Sequence, residues 1–521
     1  MAMQGVTMPP PYAGLDLLSP IDNMDPNYAL ELVNVFPGSG TPSLRKGYYA
    51  FADLGQSTPV ATVRELVAKT GTSQLIVANN DSATPANNKM YAISEAGVVT
   101  DITPSAGASP PGSGVFQTAV YANNVYLCNG VSNALVYTGS GDASPVTFTG
   151  VSLSDLINVS SFRERLYFVE KNTLKVWYGG TSVTGTGGTP ALTSFDLQYV
   201  MRQGGFLLHA GSFTNANGMT AQDLFFACSS EGELVFYTGS SPADTQNWAI
   251  TARFVIGKPL GYRAFIRVNN DIWILTQQGI VPMSALFQAD PEQALRVVSE
   301  RINPLISQYA QQIPFSPAWG GFMWTVGRRV FVSVPTSSSD TIFLVYSLDT
   351  KGWTKYSLFS TQHAVSSCSF DDLPIYASST GIIYLGETGY ADAASVSDAG
   401  QNIAFEIRTP FSFYGSRGNY KAFKDIRPIL RSRRGTSFSV GIDTDFKRQP
   451  VITPFTTPSG SFTAWGSPWG SPWSAEIDYI FDRYAARGQG HCAAIRFGGS
   501  LRDTPCDIFS FEIRFDVGGQ V

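Results

Sequence analysis

Short apolar segments separated by polar turns recur through the middle of the chain: MYAI from Met90, VYLC from Val125, LYFV from Leu166, LFFA from Leu224, IWIL from Ile272, VFVSV from Val330 and IYAS from Ile375. Most are followed, after a polar turn, by a second such run, at 134–137, 174–178, 234–237, 342–346 and 382–385. Runs this short, rich in β-branched and aromatic residues and bounded by turn formers, are strands. One hairpin is marginal in water, so these units must stack on copies of themselves, and strand pairs returning every ~40–50 residues are the mark of propeller blades. The pattern predicts a β-propeller of six to eight blades over residues 60–392.

Turn chemistry agrees. Asn123-Asn124, Asn269-Asn270, Gly327 and Gly381 stand where tight hairpins need positive φ or side-chain-to-backbone bonds. The glycine-rich tracts 106–114 and 179–189 read as long projecting loops. One helix is expected, with Asp290 as N-cap, Pro291 in the first turn, Gln293 closing the box, Leu295, Val298 and Ile302 on the apolar face, and Pro304 ending it.

After residue 400 the texture changes to longer period-two strands at 403–409, 423–430, 437–442, 492–497 and 508–515, the signature of an antiparallel sandwich with one face inward. The first 59 residues hold strand-like material too short for a core of its own. The expected division is therefore 1–59 and 393–521 as one antiparallel β-sandwich platform built from both termini, with the propeller, 60–392, inserted between them. The fold class is all-β.

Composition narrows the function. The chain has 521 residues, 50 of them glycine and 31 proline, with 13% aromatic and only 14% charged. Such a balance fits turn-rich, aromatic-packed β-structure. Thirty-five basic against forty acidic residues leave a net charge of −5, which argues against a dedicated nucleic-acid reader or an anionic-lipid binder. The opening MAMQGVTMPPPYAG has no basic start and no apolar run, so no secretory signal is expected. The longest apolar runs are far below the about 20 residues of a membrane-spanning helix. The five cysteines, Cys128, Cys228, Cys368, Cys492 and Cys506, are scattered without C-x-x-C spacing and read as core thiols in a reducing compartment.

Candidate chemistry is sparse. His209, His363 and His491 lack partners at metal-ligand spacing, apart from the adjacent His491-Cys492, so no metal and no cofactor is expected. No G-x-S-x-G, H-E-x-x-H, P-loop or G-x-G-x-x-G motif is present. Two acids at i and i+2 of a strand stand about 7 Å apart on one face, within reach of an inverting glycosidase pair, and Glu231/Glu233 and Asp443/Asp445 meet that spacing. Both pairs sit at turns or strand ends, where solvated acids are the commoner case. Ser347, Asp349, Gly352 and Trp353 are similar to the Asp-box turn of sialidase-like propellers, with the glycine one place late and the tryptophan one early; that turn is a structural brace.

Two surface features stand out. The stretch 417–448 carries Arg417, Lys421, Lys424, Arg427, Arg431, Arg433, Arg434, Lys447 and Arg448 beside Phe411, Phe413, Tyr414 and Tyr420. It reads as the wet face of a sandwich strand offset by Asp425, Asp443 and Asp445, with phosphate contact or docking on an acidic partner as the alternatives. AWGSPWGSPW places Trp465, Trp469 and Trp473 in a proline-punctuated loop that cannot be a helix or central strand. These indoles either cover the sandwich core or anchor a neighbouring subunit, and they are the candidate interface residues.

The N-terminal run 14–52 resembles the opening of tail proteins of short-tailed bacteriophages, at Leu18, Asp22, Met24, Ala29, Leu30, Asn34, Phe36, Pro37, Leu44, Arg45, Gly47 and Tyr48. The WGSPW loop and the AAIRF strand are similar to their C-terminal part. The resemblance implies a tail nozzle, or tail hub, of the tubular protein B-like kind: a structural virion protein whose subunits, commonly six, form a ring below the adaptor and portal. It implies no enzyme activity and no catalytic residue. Implied partners are further copies of the chain, the head-to-tail adaptor, tail fibre or needle proteins, and viral double-stranded DNA in non-specific transit, with assembly in the host cytoplasm and residence in the virion tail. The tract 179–215 is a candidate for the loops that close the channel. Two rival readings stay open: a glycan depolymerase using acids among Glu231, Glu233 and Asp349, and a glycan-binding adhesin that stacks sugars on Trp465, Trp469 and Trp473.

Overall fold

A computed structural model describes residues 3–104, 111–216, 221–288, 297–337, 340–358, 364–393, 398, 400–415, 417–450, 452–457 and 477–520. The chain divides into two compact units, one formed by Ala50–Ile342 and Phe359–Leu385, the other by Met1–Tyr49, Phe343–Leu358 and Gly386–Val521. The segment Phe343–Leu358, expected inside the propeller, belongs with the terminal segments.

The first unit is a β-propeller. Its blades follow the chain: blade 1 is Val60–Val67, Ser73–Asn79, Met90–Ser94 and Val99–Asp101; blade 2 Gln117–Tyr121, Asn124–Cys128, Leu135–Tyr137 and Ser144–Pro145; blade 3 Leu156–Phe162, Arg165–Glu170, Lys175–Tyr178 and Thr193–Asp196. Blade 4 is Leu207–Ala216, Ala221–Ser229, Glu233–Thr238 and Ala249–Val255, and blade 5 Phe265–Val268, Asp271–Thr276 and Gly279–Pro282. The hairpin Gly320–Trp324 with Arg329–Ser337 takes the sixth place. The last blade is Ala364–Phe370, Leu373–Ser378 and Ile382–Gly386, with the N-terminal strand Tyr48–Asp53 as its outermost member. Six sheets and one hairpin thus make up the ring. The innermost strand of the last blade lies against that of blade 1, which closes it.

Hydrophobic burial explains why hairpins so short persist. Each apolar cluster is shared by two neighbours: Leu127 and Val125 of blade 2 pack with Ile76 and Met90 of blade 1, Phe168 of blade 3 with Tyr126 and Val136 of blade 2, and Phe225 of blade 4 with Tyr167 of blade 3. The second strand of a blade is covered on both faces, so Asn124–Cys128 and Asp271–Thr276 read as continuous apolar runs. The apolar segments picked out in the sequence are these second strands, except that MYAI is the third strand of blade 1. That slip accounts for the Met90-to-Val125 interval being the shortest of the series.

Turns follow the expected chemistry with one correction. Ala122 and Asn123 both take positive φ between the first two strands of blade 2, as does Asn269 in blade 5. In the 324–329 hairpin the left-handed residue is Arg328; Gly327 is required because a Cβ there would lie 2.0 Å from the Trp324 ring. Asp290, Pro291, Gln293 and Leu295 of the expected helix lie outside the described residues; a helix follows at Asn303–Gln312, with Pro304 in its first turn. Proline lacks only a donor that the first turn leaves unpaired anyway, so Pro304 begins this helix where it was expected to end one.

The second unit is a sandwich of two sheets. One runs Ile477–Ile480, Asn419–Arg433, Cys506–Gln520, Ser43–Leu44, Val35–Phe36, with Met3–Met8 also on Cys506–Gln520 and Tyr484–Gly490 on Asn419–Arg433. The other contains Trp353–Tyr356, Glu31–Val33, Ile403–Arg408, Ala493–Leu501, Ser437–Thr444 and Thr453–Thr456 in that order. Both termini therefore supply strands to both layers. Alternation sets the inward face: Ile403, Phe405 and Ile407 are buried while Ala404 is exposed. The two layers meet through rings such as Phe497 and Phe511, 5.5 Å apart.

The resemblance residues have a physical task in this unit. Arg45 is 2% exposed. It donates from Nε to Asn34 Oδ1 at 2.9 Å, and its two terminal nitrogens reach the two carboxylate oxygens of Asp392 at 2.8 and 2.5 Å. Asn34 also accepts from Ser357 N and donates to Ala404 O. Gly47 leaves no room for a side chain, since a Cβ would stand 1.8 Å from Ala391 O.

Candidate functional site

The acids that could have formed a glycosidase pair are engaged elsewhere. Glu233, 3% exposed, accepts the backbone N–H groups of Arg202 and Gln203 at 2.7 and 2.8 Å, and Glu231 pairs with Lys258 at 2.6 Å. Asp443 is fully buried against Arg408 at 2.8 Å, and Asp445 accepts from His491 N at 2.7 Å. The Ser347–Trp353 turn is closed by Ser347 N donating to Gly352 O at 3.0 Å and Lys351 N to Ser347 O at 2.9 Å, a hairpin brace.

Much of the basic stretch is paired with acids, and with others than the three expected. Arg417 pairs with Asp22, Lys424 with Asp516, Arg427 with Glu512, Arg434 with Asp478, and Arg448 with both Glu31 and Glu406. Asp425 instead holds Arg483 and Arg514. Cations so paired make a poor phosphate track. Trp465, Trp469 and Trp473 lie outside the described residues, as does His363. The tract 179–215 is not one free loop: it contains the outer strand of blade 3 and most of the inner strand of blade 4. All five cysteines are free thiols, and burial raises the pKa of each. No group of three or more His, Cys, Asp or Glu placed for a metal occurs among the described residues.

Polar side chains converge instead on the propeller bore, where the innermost strands bring together residues far apart in sequence. Arg263, at the entry to blade 5, spans it: Nη1 donates to Ala61 O at 2.7 Å, and Nη2 to Thr62 Oγ1 at 2.8 Å and Phe116 O at 2.9 Å. One guanidinium thus ties blade 5 to blades 1 and 2, with a pKa lowered to about 10 by burial. Beside it is a cavity of about 200 Å³ lined by Thr62, Asn158, His209, Arg263 and Ser367, among others. A second, of about 390 Å³, shares His209 and adds Arg64, Ser160 and Arg267.

His209 is stacked on Phe265 at 4.6 Å, and its Nδ1 lies 2.9 Å from the Asn158 amide nitrogen. Burial, and after it the charge of Arg267, lower its pKa to about 3, so the ring is neutral at physiological pH. The linked effect on stability has a definite sign. Above the ordinary histidine value of about 6.5 neither folded nor unfolded chain is protonated here; as pH falls below it the unfolded chain takes up a proton that the fold refuses, down to about 3. Between pH 7 and pH 5 the propeller should lose about 2 kcal/mol through this residue. Urea unfolding of wild type and H209Q at both pH values checks it: the variant should show the smaller loss on acidification, and equal losses would exclude His209 as the cause.

No family model matches the chain, and no curated protein matches its sequence. Among solved structures it is similar to the computationally designed Ika8 protein, at 10% identity over 65% of this chain and 99% of that one with a TM-score of 0.36. It is also similar to a chain of YCF48 bound to D1 peptide, at 10% identity over 70% and 98% with a TM-score of 0.28, and to a chain of a mitotic checkpoint complex, at 8% over 72% and 99% with a TM-score of 0.37. At these TM-scores the likenesses carry no argument about this chain.

Proposed function

We propose that this protein is a structural subunit of a phage tail nozzle, forming with further copies of itself a ring through which the genome leaves the particle. The observation that supports the reading is the N-terminal run that resembles the opening of short-tailed phage tail proteins, whose residues Asn34, Arg45 and Gly47 build the lock of the sandwich unit.

The bore of one propeller is crossed by Arg263 and its cavities are a few hundred Å³, so a DNA passage would lie between subunits. Its wall would gain from the chain's net charge of −5, because a polyanion moves past a surface that does not hold it. Tyr479 and Phe481 are 57% and 56% exposed at the edge of the sandwich, a few residues in sequence after Trp465, Trp469 and Trp473, and suit a contact with a neighbouring copy. Opening would be mechanical, by displacement of loops on contact with the host, with the adaptor on one side and fibre or needle proteins as further partners.

A tag on this chain in purified particles, located by electron microscopy, tests the reading: it should mark a ring in the tail, and particles without the chain would contradict it. Incubation with capsule or lipopolysaccharide tests the depolymerase alternative; released oligosaccharide would displace the structural reading.

A further inference from the structure

Arg64 on the inner strand of blade 1 and Arg267 on the inner strand of blade 5 line the same cavity of about 390 Å³. Arg267 donates to Ser212 O at 3.1 Å and Ser212 Oγ at 3.4 Å. Arg64 has no hydrogen bond or ion pair among the described residues, and neither guanidinium meets a carboxylate there. In the sandwich unit, by contrast, Arg45, Arg408, Arg434 and Arg514 are each matched to an acid. The two charges are near enough that Arg64 helps to lower the pKa of Arg267, after burial. Two like charges at one cavity are unfavourable until an anion lies between them.

Neutral donors complete the arrangement. The Ser160 Oγ atom lines this cavity, is shut off from solvent and has no partner. His209, with Nδ1 accepting from the Asn158 amide, carries its proton on Nε2, the atom nearest to Gly211 of the cavity wall. A buried hydroxyl without a partner costs about 1–3 kcal/mol, which a bound acceptor would relieve. Planar guanidinium forks, a hydroxyl and an imidazole N–H are the donor set that suits a small oxyanion.

We infer that the propeller bore is a binding site for a small oxyanion of the phosphate class, held between Arg64 and Arg267 with Ser160 and His209 as neutral donors. The site is independent of the nozzle reading and belongs to the propeller alone.

The test is titration of the intact protein with inorganic phosphate at matched ionic strength, by calorimetry and by the rise in melting temperature that a ligand of the folded state produces. Saturable binding of one phosphate per chain is expected, weakened about tenfold or more in R64Q and in R267Q, and unchanged in R202Q, an exposed arginine away from the cavity. A phosphate monoester titrated in parallel distinguishes the free ion from phosphate carried on a larger molecule by which binds more tightly. Both arginines keep access to solvent within the bore, so the variants should fold; should R267Q not, R64Q decides alone. Absence of saturable binding, or equal binding by wild type and R64Q, would overturn the inference.

Discussion

Replacement of Arg45 by alanine should destabilise the sandwich unit by about 3–5 kcal/mol, the range for removing one partner of a buried, hydrogen-bonded ion pair. The cause is specific. Arg45 serves Asn34, Lys46 O, Ser357 O and both oxygens of Asp392, so its loss leaves a carboxylate that is 9% exposed without its cation and several acceptors without donors. Lysine would keep the charge but cannot form the two-pronged contact, and R45K should recover only part of the loss. Denaturant unfolding of the full chain, followed by a probe in the sandwich, measures both. An alanine variant within 1 kcal/mol of wild type would show that the lock does not hold this unit.

G381A should cost at least about 3 kcal/mol and act on propeller closure. Gly381 has φ +84 in the turn between the last two strands of the final blade, a conformation costly for any residue with a Cβ, and that Cβ would lie 1.8 Å from Gln56 O. Its carbonyl accepts from Leu54 N at 3.1 Å, just past the N-terminal strand that completes the blade. The strain thus falls where the N-terminal strand joins the final blade of the propeller. Hydrogen exchange should show faster opening of Tyr48–Asp53 and Ile382–Gly386 than of blade 3; uniform exchange across the blades would argue against a localised closure.

The propeller was legible because its second strands are covered on both faces and appear as unbroken apolar tetrads. Its inner strands were not, since residues such as those of AVSSCSF at 364–370 face the bore and lose the apolar signal. Five sandwich strands were legible from period-two alternation, several running longer than expected, as in Asn419–Arg433, while the short Thr453–Thr456, Ile477–Ile480 and Tyr484–Gly490 gave too little alternation to be read. Pro304 misled because proline is as well suited to opening a helix as to stopping one.

The oxyanion site had no sequence signal. Arg64, Ser160, His209 and Arg267 stand on four different blades and meet only when the ring closes. Arg45 could be read as part of a motif, but nothing local distinguishes a buried arginine from a solvated one.

The most direct test of the central claim is the mass and shape of the purified chain, alone and mixed with a head-to-tail adaptor of the phage particle proposed for it, by native mass spectrometry and electron microscopy. The account predicts closed rings of several copies, six being the expected number, around a passage wide enough for double-stranded DNA. A chain that stays monomeric in every mixture would contradict it.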